Sequence, residues 1–269
     1  MTRENRGAAP GGGCERGTVT RRRFARIAGT ALASVAVGGA CRGSEAGTAP
    51  DQGRISARPR KDVTTSGTGT RPLGLGESRD GLVQLPPDLA AGALPLLVLL
   101  HGAGGSGAGI LRRLGAAASD AGVAVLAPDA RGPTWDAIRG RFGADVEFIG
   151  RALDRVFATT AVDPARVAIG GFSDGATYAI SLGVANGDVF RRVLAFSPGF
   201  YVEGATRGSA RFFISHGTGD RILPIDRCSR VIVDALRTSG HQVTYREFDG
   251  GHEIPAAIAR EGMDWVAKP

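Results

Sequence analysis

Apolar residues along the chain fall into short continuous runs, separated by stretches in which they recur at helical spacing. The runs are Pro95–Leu100, Val123–Leu126, Val167–Ile169, Val193–Phe196, Phe212–Ser215 and Val243–Phe248. Each is only a few residues long and rich in apolar or β-branched side chains, so each predicts a strand. Between them the apolar spacing predicts helices over Ile110–Ala121, Val146–Thr159, Ala176–Val184, Ile225–Thr238 and Ile254–Val266. Strands that are apolar throughout are buried on both faces, and their alternation with helices argues for an α/β fold built on a mostly parallel sheet. One earlier segment differs. Leu73–Leu85 places two short apolar stretches around the polar turn Glu77-Ser78-Arg79-Asp80-Gly81, and predicts an antiparallel hairpin at one sheet edge. No internal repeat is visible.

The first 70 residues break this pattern. Residues 20–26 read Thr-Arg-Arg-Arg-Phe-Ala-Arg, followed by the mildly apolar run Ile27–Ala40 and then Cys41. A basic region before a short apolar stretch is the pattern of a secretory signal, and the adjacent arginines before Phe24 resemble a twin-arginine export signal. Cys41 stands where a bacterial lipoprotein would carry its lipid, although Gly38 replaces the usual aliphatic residue. Residues 42–70 are rich in Gly, Ser, Thr, Pro and Arg, and read as a flexible linker. The expected organisation is therefore a signal segment over 1–41, a linker over 42–70 and a catalytic domain over 71–269. The expected location is extracytoplasmic, either secreted or lipid-anchored through Cys41, after passage through the export machinery.

Charge and composition narrow the function. The net charge of +7 lies entirely within residues 1–60, where 11 Arg face 4 acidic residues; residues 61–269 are neutral. The main domain thus offers no basic stripe for a nucleic-acid backbone. With 42% hydrophobic and 22% charged residues the chain is no disordered polymer, and no apolar run has the length of a spanning helix. Of Cys14, Cys41 and Cys228 only the last lies in the main domain, so no intrachain disulfide is expected there. Cys228 falls in a helical pattern and reads as a buried structural thiol. The histidines and cysteines show no ligand spacing, and no metal is expected.

Ligands of parallel α/β sheets sit at the carboxyl ends of the strands, so the residues just past each strand are the candidates. They read His101-Gly102-Ala103-Gly104-Gly105 after Leu100, Gly170-Gly171-Phe172-Ser173-Asp174-Gly175 after Ile169, His216-Gly217-Thr218-Gly219-Asp220 after Ser215, and Asp249-Gly250-Gly251-His252 after Phe248. Gly171-Phe172-Ser173-Asp174-Gly175 places a serine on a tight strand-to-helix turn, where flanking glycines let strand and helix approach. A serine hydroxyl needs a base, and the base an orienting acid. Ser173, Asp220 and His252 occur in the order this arrangement uses, each past a strand. His101 and His216 precede glycine and read as turn-shaping residues; His241 reads as solvated. Asp226 and Asp249 are the alternatives to Asp220.

The first strand end supports a rival. Gly102–Gly107 also spells Gly-x-Gly-x-x-Gly between strand and helix, with Asp129 further along, which is the outline of a dinucleotide loop in a nicotinamide-dependent oxidoreductase. That reading leaves Ser173, Asp220 and His252 without a role.

Together these residues resemble the α/β-hydrolases, most closely the phospholipase/carboxylesterase branch, from about Leu73 to Val266. The resemblance also rests on Leu97–Gly102, on Val162-Asp163-Pro164-Ala165-Arg166-Val167-Ala168 before the serine turn, on Pro224 after Asp220, on Gly251-His252-Glu253-Ile254, and on Asp145-Val146-x-Phe148-Ile149. It implies a serine esterase with no cofactor, in which Ser173 is the nucleophile, Asp220 the acid and His252 the base. The implied oxyanion donors are the backbone N–H groups of Ala103 and Asp174, with Gly104 as the alternative to Ala103. Asp174 departs from the uncharged residue usual there, and its carboxylate must point away from the oxyanion. Trp135, Phe200 and Tyr201, in loops past strands, are candidates to line the acyl or alcohol pocket. The short loops point to small or medium esters; thioesters, peptides and polymeric esters are the related alternatives.

Overall fold

A computed structural model describes residues 53–89, 92–202 and 205–269. The signal-like segment, Cys41 and the start of the expected linker lie outside the described residues. Eight strands form one sheet: β1 (Gly69–Pro72), β2 (Gly81–Leu85), β3 (Leu94–Leu100), β4 (Ala124–Pro128), β5 (Val162–Phe172), β6 (Arg192–Phe196), β7 (Arg211–Gly217) and β8 (Val243–Phe248). Their spatial order is β1-β2-β4-β3-β5-β6-β7-β8. Pairing is parallel from β4 across to β8 and antiparallel for β1–β2 and β2–β4. The helices are α1 (Gly107–Asp120), α2 (Asp136–Arg139), α3 (Ala144–Thr159), α4 (Asp174–Ala185), α5 (Ser229–Thr238) and α6 (Ala256–Ala267).

Strand β3 shows why the apolar runs dictate this architecture. All seven of its residues are buried. Side chains alternate across a strand, so Leu96, Val98 and Leu100 enter the core on one face with Phe148, Ile149 and Ile232. Leu97 and Leu99 enter the core on the other face with Ile110, Leu114, Met263 and Val266. Helices α1 and α6 cover the second face; α3, α4 and α5 cover the first.

Several boundaries differ from the sequence reading. The edge hairpin exists, but its first strand is residues 69–72, not the stretch from Leu73. Leu73 N–H closes onto Gly81 O, and the Asp80 carboxylate accepts from Gly74 and Leu75 N–H at 3.0 Å each, so the polar turn draws these residues into the connection. The predicted helix Ile225–Thr238 is a 3-10 turn over Ile225–Arg227 followed by α5. Helix α6 starts at Ala256, with Pro255 as its N-cap. The four-residue α2 has no periodic signal in the sequence.

The described half of the expected linker is no loose tether. Ile55 and Ala57 are 1% and 4% exposed. Ile55 N–H donates to Asn186 Oδ1 and Asn186 Nδ2 donates to Gly53 O, each at 2.7 Å. Buried Gly53, Ile55 and Ala57 alternate with exposed Arg54, Ser56 and Arg58. That two-residue period is present in the sequence but was masked by the surrounding Gly, Pro and Arg.

Candidate active site

Strands β3 and β5 are neighbours, with Leu100 opposite Gly171. From β3 the chain moves on to β4 at one side, and from β5 to β6 at the other, so the connections diverge above these two strand ends and leave a crevice between them. The turn after β5 carries Ser173 at its tip, with φ 57° and ψ −120°. A non-glycine residue with positive φ costs about 1–3 kcal/mol, and the surroundings hold it there. Ser173 N–H donates to Phe196 O at 3.0 Å, and Ser173 O accepts from Thr177 N–H at 3.0 Å. A Cβ on Gly171 would stand 2.6 Å from Leu100 O, and one on Gly175 would fall on the carbonyls of Leu100 and His101. The two glycines therefore let helix α4 and the first strand end press against the serine turn. Among the described residues Ser173 Oγ makes no hydrogen bond.

His252 Nδ1 lies 2.6 Å from Asp220 Oδ2. The carboxylate only accepts, so Nδ1 carries the hydrogen and Nε2 presents its lone pair. The His252 ring sits 4.7 Å, centroid to centroid, from Phe172, the residue before Ser173. Asp220 is 5% exposed, and its Oδ1 accepts from the N–H groups of Ile222 and Leu223 at 2.9 Å each. Burial alone would raise its pKa; the hydrogen bonds from Leu223, His252 and Ile222 outweigh this and hold it below the ordinary 3.8. Asp226 and Asp249 are exposed, and Asp226 pairs with Arg230. The structure thus brings Asp220, rather than either alternative, to His252.

The loop after β3 is braced from below. His101 Nε2 accepts from Ala130 N–H at 3.0 Å, so its hydrogen sits on Nδ1 and is donated to Gly102 O at 2.7 Å. Burial lowers its pKa, keeping the ring neutral. Gly104 N–H donates to Pro133 O, Gly105 N–H to Gly102 O and Gly107 N–H to the Asp129 carboxylate. This corrects two expectations. Gly104 is spent and does not substitute for Ala103, whose N–H has no acceptor among the described residues. The dinucleotide outline also fails: the N–H groups of Gly104 and Gly107 are bonded within the protein, and Asp129 closes the loop instead of waiting for a ribose.

Trp135 was expected to line the pocket; it has no exposed surface. Its Nε1–H donates to His101 O at 2.8 Å, and its ring lies between His101 and Tyr178, at 4.9 and 5.3 Å. It is a post under the loop. Phe200 and Tyr201 are half-buried just past β6, Tyr201 against the core. The Asp174 carboxylate, the departure from the family pattern, accepts from Thr134 Oγ1 at 2.5 Å. Two nearby features escaped the sequence reading. Leu223 packs beside Gly199 and Ile222 is 70% exposed, both on the Asp220 loop. His216, expected to shape a turn, comes within 3.1 Å of Asp220, and His241, expected to be solvated, is half-buried with its ring edge-on to Phe212 at 5.0 Å. Cys228 is fully buried, and burial pushes its thiol up to about 12.

A family model described as phospholipase/carboxylesterase matches residues 140–266. "Putative esterase NocK" of Nocardia uniformis subsp. tsuyamanensis is 30% identical, with the match covering 78% of this chain and 68% of that protein. The chain belongs to the α/β-hydrolase esterase family. Solved structures agree on the fold of these esterases. The fluorophosphonate-binding serine hydrolase F of Staphylococcus aureus superposes with a TM-score of 0.61 at 17% identity, covering 76% of this chain and all of that one. The Bacillus cereus carboxylesterase gives 0.55 at 20% identity, over 71% and 94% of the two chains. Nothing in these comparisons points to an oxidoreductase.

Proposed function

We propose that this esterase cleaves small to medium carboxylic esters through an acyl-enzyme on Ser173. The observation that carries the reading is the 2.6 Å bond from His252 Nδ1 to Asp220, beside a serine held at positive φ on a strand-to-helix turn. Ser173 Oγ attacks the ester carbonyl while His252 Nε2 takes its proton. The carbonyl π electrons move to oxygen, and the N–H groups of Ala103 and Asp174 receive the oxyanion. The tetrahedral intermediate collapses, the C–O bond to the alcohol breaks, and His252 returns the proton to the leaving oxygen. Water, deprotonated by His252, then releases the acid and restores Ser173. Asp220 keeps the Nδ1–H tautomer and stabilises the imidazolium. The short connections around the described site favour small or medium esters. Export through the arginine-rich N-terminus belongs to the same proposal and rests on the sequence.

The test is hydrolysis of p-nitrophenyl acetate and butyrate beside Ser173→Ala, with covalent labelling by a fluorophosphonate. The proposal expects both turnover and labelling to vanish in the variant. A folded wild-type protein that neither turns over nor labels overturns it.

A further inference from the structure

A second histidine stands beside the Asp220 carboxylate. His216 Nε2 lies 3.1 Å from Oδ2, the oxygen that also accepts from His252. The His216 ring has no exposed surface. Its Nε2 also lies 2.7 Å from Leu223 O, and its Nδ1 is bonded to the Ser229 hydroxyl, itself fully buried at the start of α5. Two pure acceptors at Nε2 place the hydrogen there, so Nδ1 accepts from Ser229 Oγ–H. Burial lowers the pKa of His216 and keeps it neutral, against the pull of the Leu223 carbonyl and the Asp220 charge. The other titratable groups facing it are His252 from the last loop and Glu247, its neighbour across β8. Asp220 Oδ1 takes two backbone N–H groups and Oδ2 accepts from His252, while His216 Nε2–H, bonded to Leu223 O, stands with its nitrogen 3.1 Å from the same Oδ2.

We infer that His216 is a positioning residue for the ester hydrolysis proposed above. Its Nε2–H holds Leu223 O, and with it the turn whose N–H groups fix Asp220 Oδ1, and it sets the polar edge of the ring 3.1 Å from Oδ2, where it offsets part of the charge; Ser229 fixes the tautomer that allows this. The inference rests on the reading of Asp220 and His252 as acid and base. Without His216 the charge on Oδ2 is directed at His252 alone, the imidazolium is held more strongly, and the turn that holds Oδ1 loses its brace at Leu223 O.

The experiment compares His216→Leu, His216→Gln and Ser229→Ala with wild type, by kcat, KM and the pH dependence of kcat/KM on p-nitrophenyl butyrate. In His216→Leu kcat falls about 10-fold, KM stays within about 2-fold, and the acid limb moves to higher pH. The glutamine amide reaches the Nε2 position and restores both. Ser229→Ala moves in the direction of His216→Leu by less. A readout without turnover is the low-field proton resonance of the His252–Asp220 hydrogen bond in a Ser173→Ala background, which shifts in His216→Leu and stays in His216→Gln. If His216→Leu does not fold, a shifted limb and resonance in Ser229→Ala sustain the inference. An unmoved limb and resonance in the folded variants, or a glutamine variant as impaired as the leucine one, overturn it. A wild type without turnover or labelling would instead sink the role of Ser173, and the resonance would still decide His216.

Discussion

Thr134 Oγ1 donates to the carboxylate of Asp174 at 2.5 Å, tying down the negative side chain of the residue whose own backbone N–H is the proposed oxyanion donor. A free carboxylate at this position would oppose charge developing on the substrate oxygen. Thr134→Val removes the donor and keeps the shape. Its kcat on p-nitrophenyl butyrate is expected to fall about 10-fold with little change in KM, and Asp174→Asn in the same background should restore most of the loss. An unchanged kcat in Thr134→Val would show that the carboxylate keeps its place without the hydroxyl.

The buried histidines set an acid limit on stability. His101 and His216 are both held below the ordinary 6.5, chiefly by burial. A histidine with a depressed folded pKa contributes stability that is present above the unfolded value and lost as pH falls through the folded value. Protonating His101 Nε2 would also break its bond from Ala130 N–H. The melting temperature is therefore expected to be flat from about pH 8 to about 6.5 and to fall toward about pH 5. His101→Gln should lower the plateau and flatten the fall. Melting curves across this range check both.

The post under the first loop gives a stability prediction that separates packing from hydrogen bonding. Trp135→Phe keeps an aromatic ring against Tyr178 but leaves the His101 carbonyl without the indole N–H. An unpaired buried acceptor costs about 1–3 kcal/mol. Chemical denaturation should show a loss in this range, and kcat should fall more than KM rises because the Ala103 N–H is held by the same loop.

The fold and the site were not equally legible in the sequence. Strands such as Leu94–Leu100 declare themselves because burial on both faces leaves no polar position. Ser173 and Asp220 were legible as candidates because each follows such a strand; His252 follows the half-exposed edge strand β8, and its place beside Asp220 comes from the register of β7 with β8. Partners that approach from loops were not. Nothing in the spacing of Thr134 and Asp174, of Trp135 and His101, or of His216 and Ser229 marks them as neighbours, because these pairs form only when irregular connections fold back over the strand ends. Trp135 was misread for the same reason: a loop aromatic looks available for substrate until its N–H is seen to serve a backbone carbonyl. The Ile55 segment was missed because its buried positions are few and small, and its polar neighbours match the composition of a tether.

That segment gives the last prediction. Ile55 is buried in the main core, and Asn186, fully buried at the end of α4, bonds both Gly53 O and Ile55 N–H. Asn186 Nδ2 also donates to Leu182 O at 3.0 Å. One side chain therefore ties the N-terminal segment to the last turn of the helix that begins after Ser173. Ile55→Ala should cost about 2–5 kcal/mol, the range for truncating a buried aliphatic side chain. Asn186→Ala should cost a comparable amount because it strands two backbone groups. In a chain beginning at residue 61 the segment is already absent. Asn186→Ala in that shorter chain should then cost clearly less than in the full one, since only the Leu182 bond remains to be lost. Denaturation midpoints of the four proteins complete the cycle. Equal losses in both lengths would mean that the N-terminal segment adds nothing through Asn186.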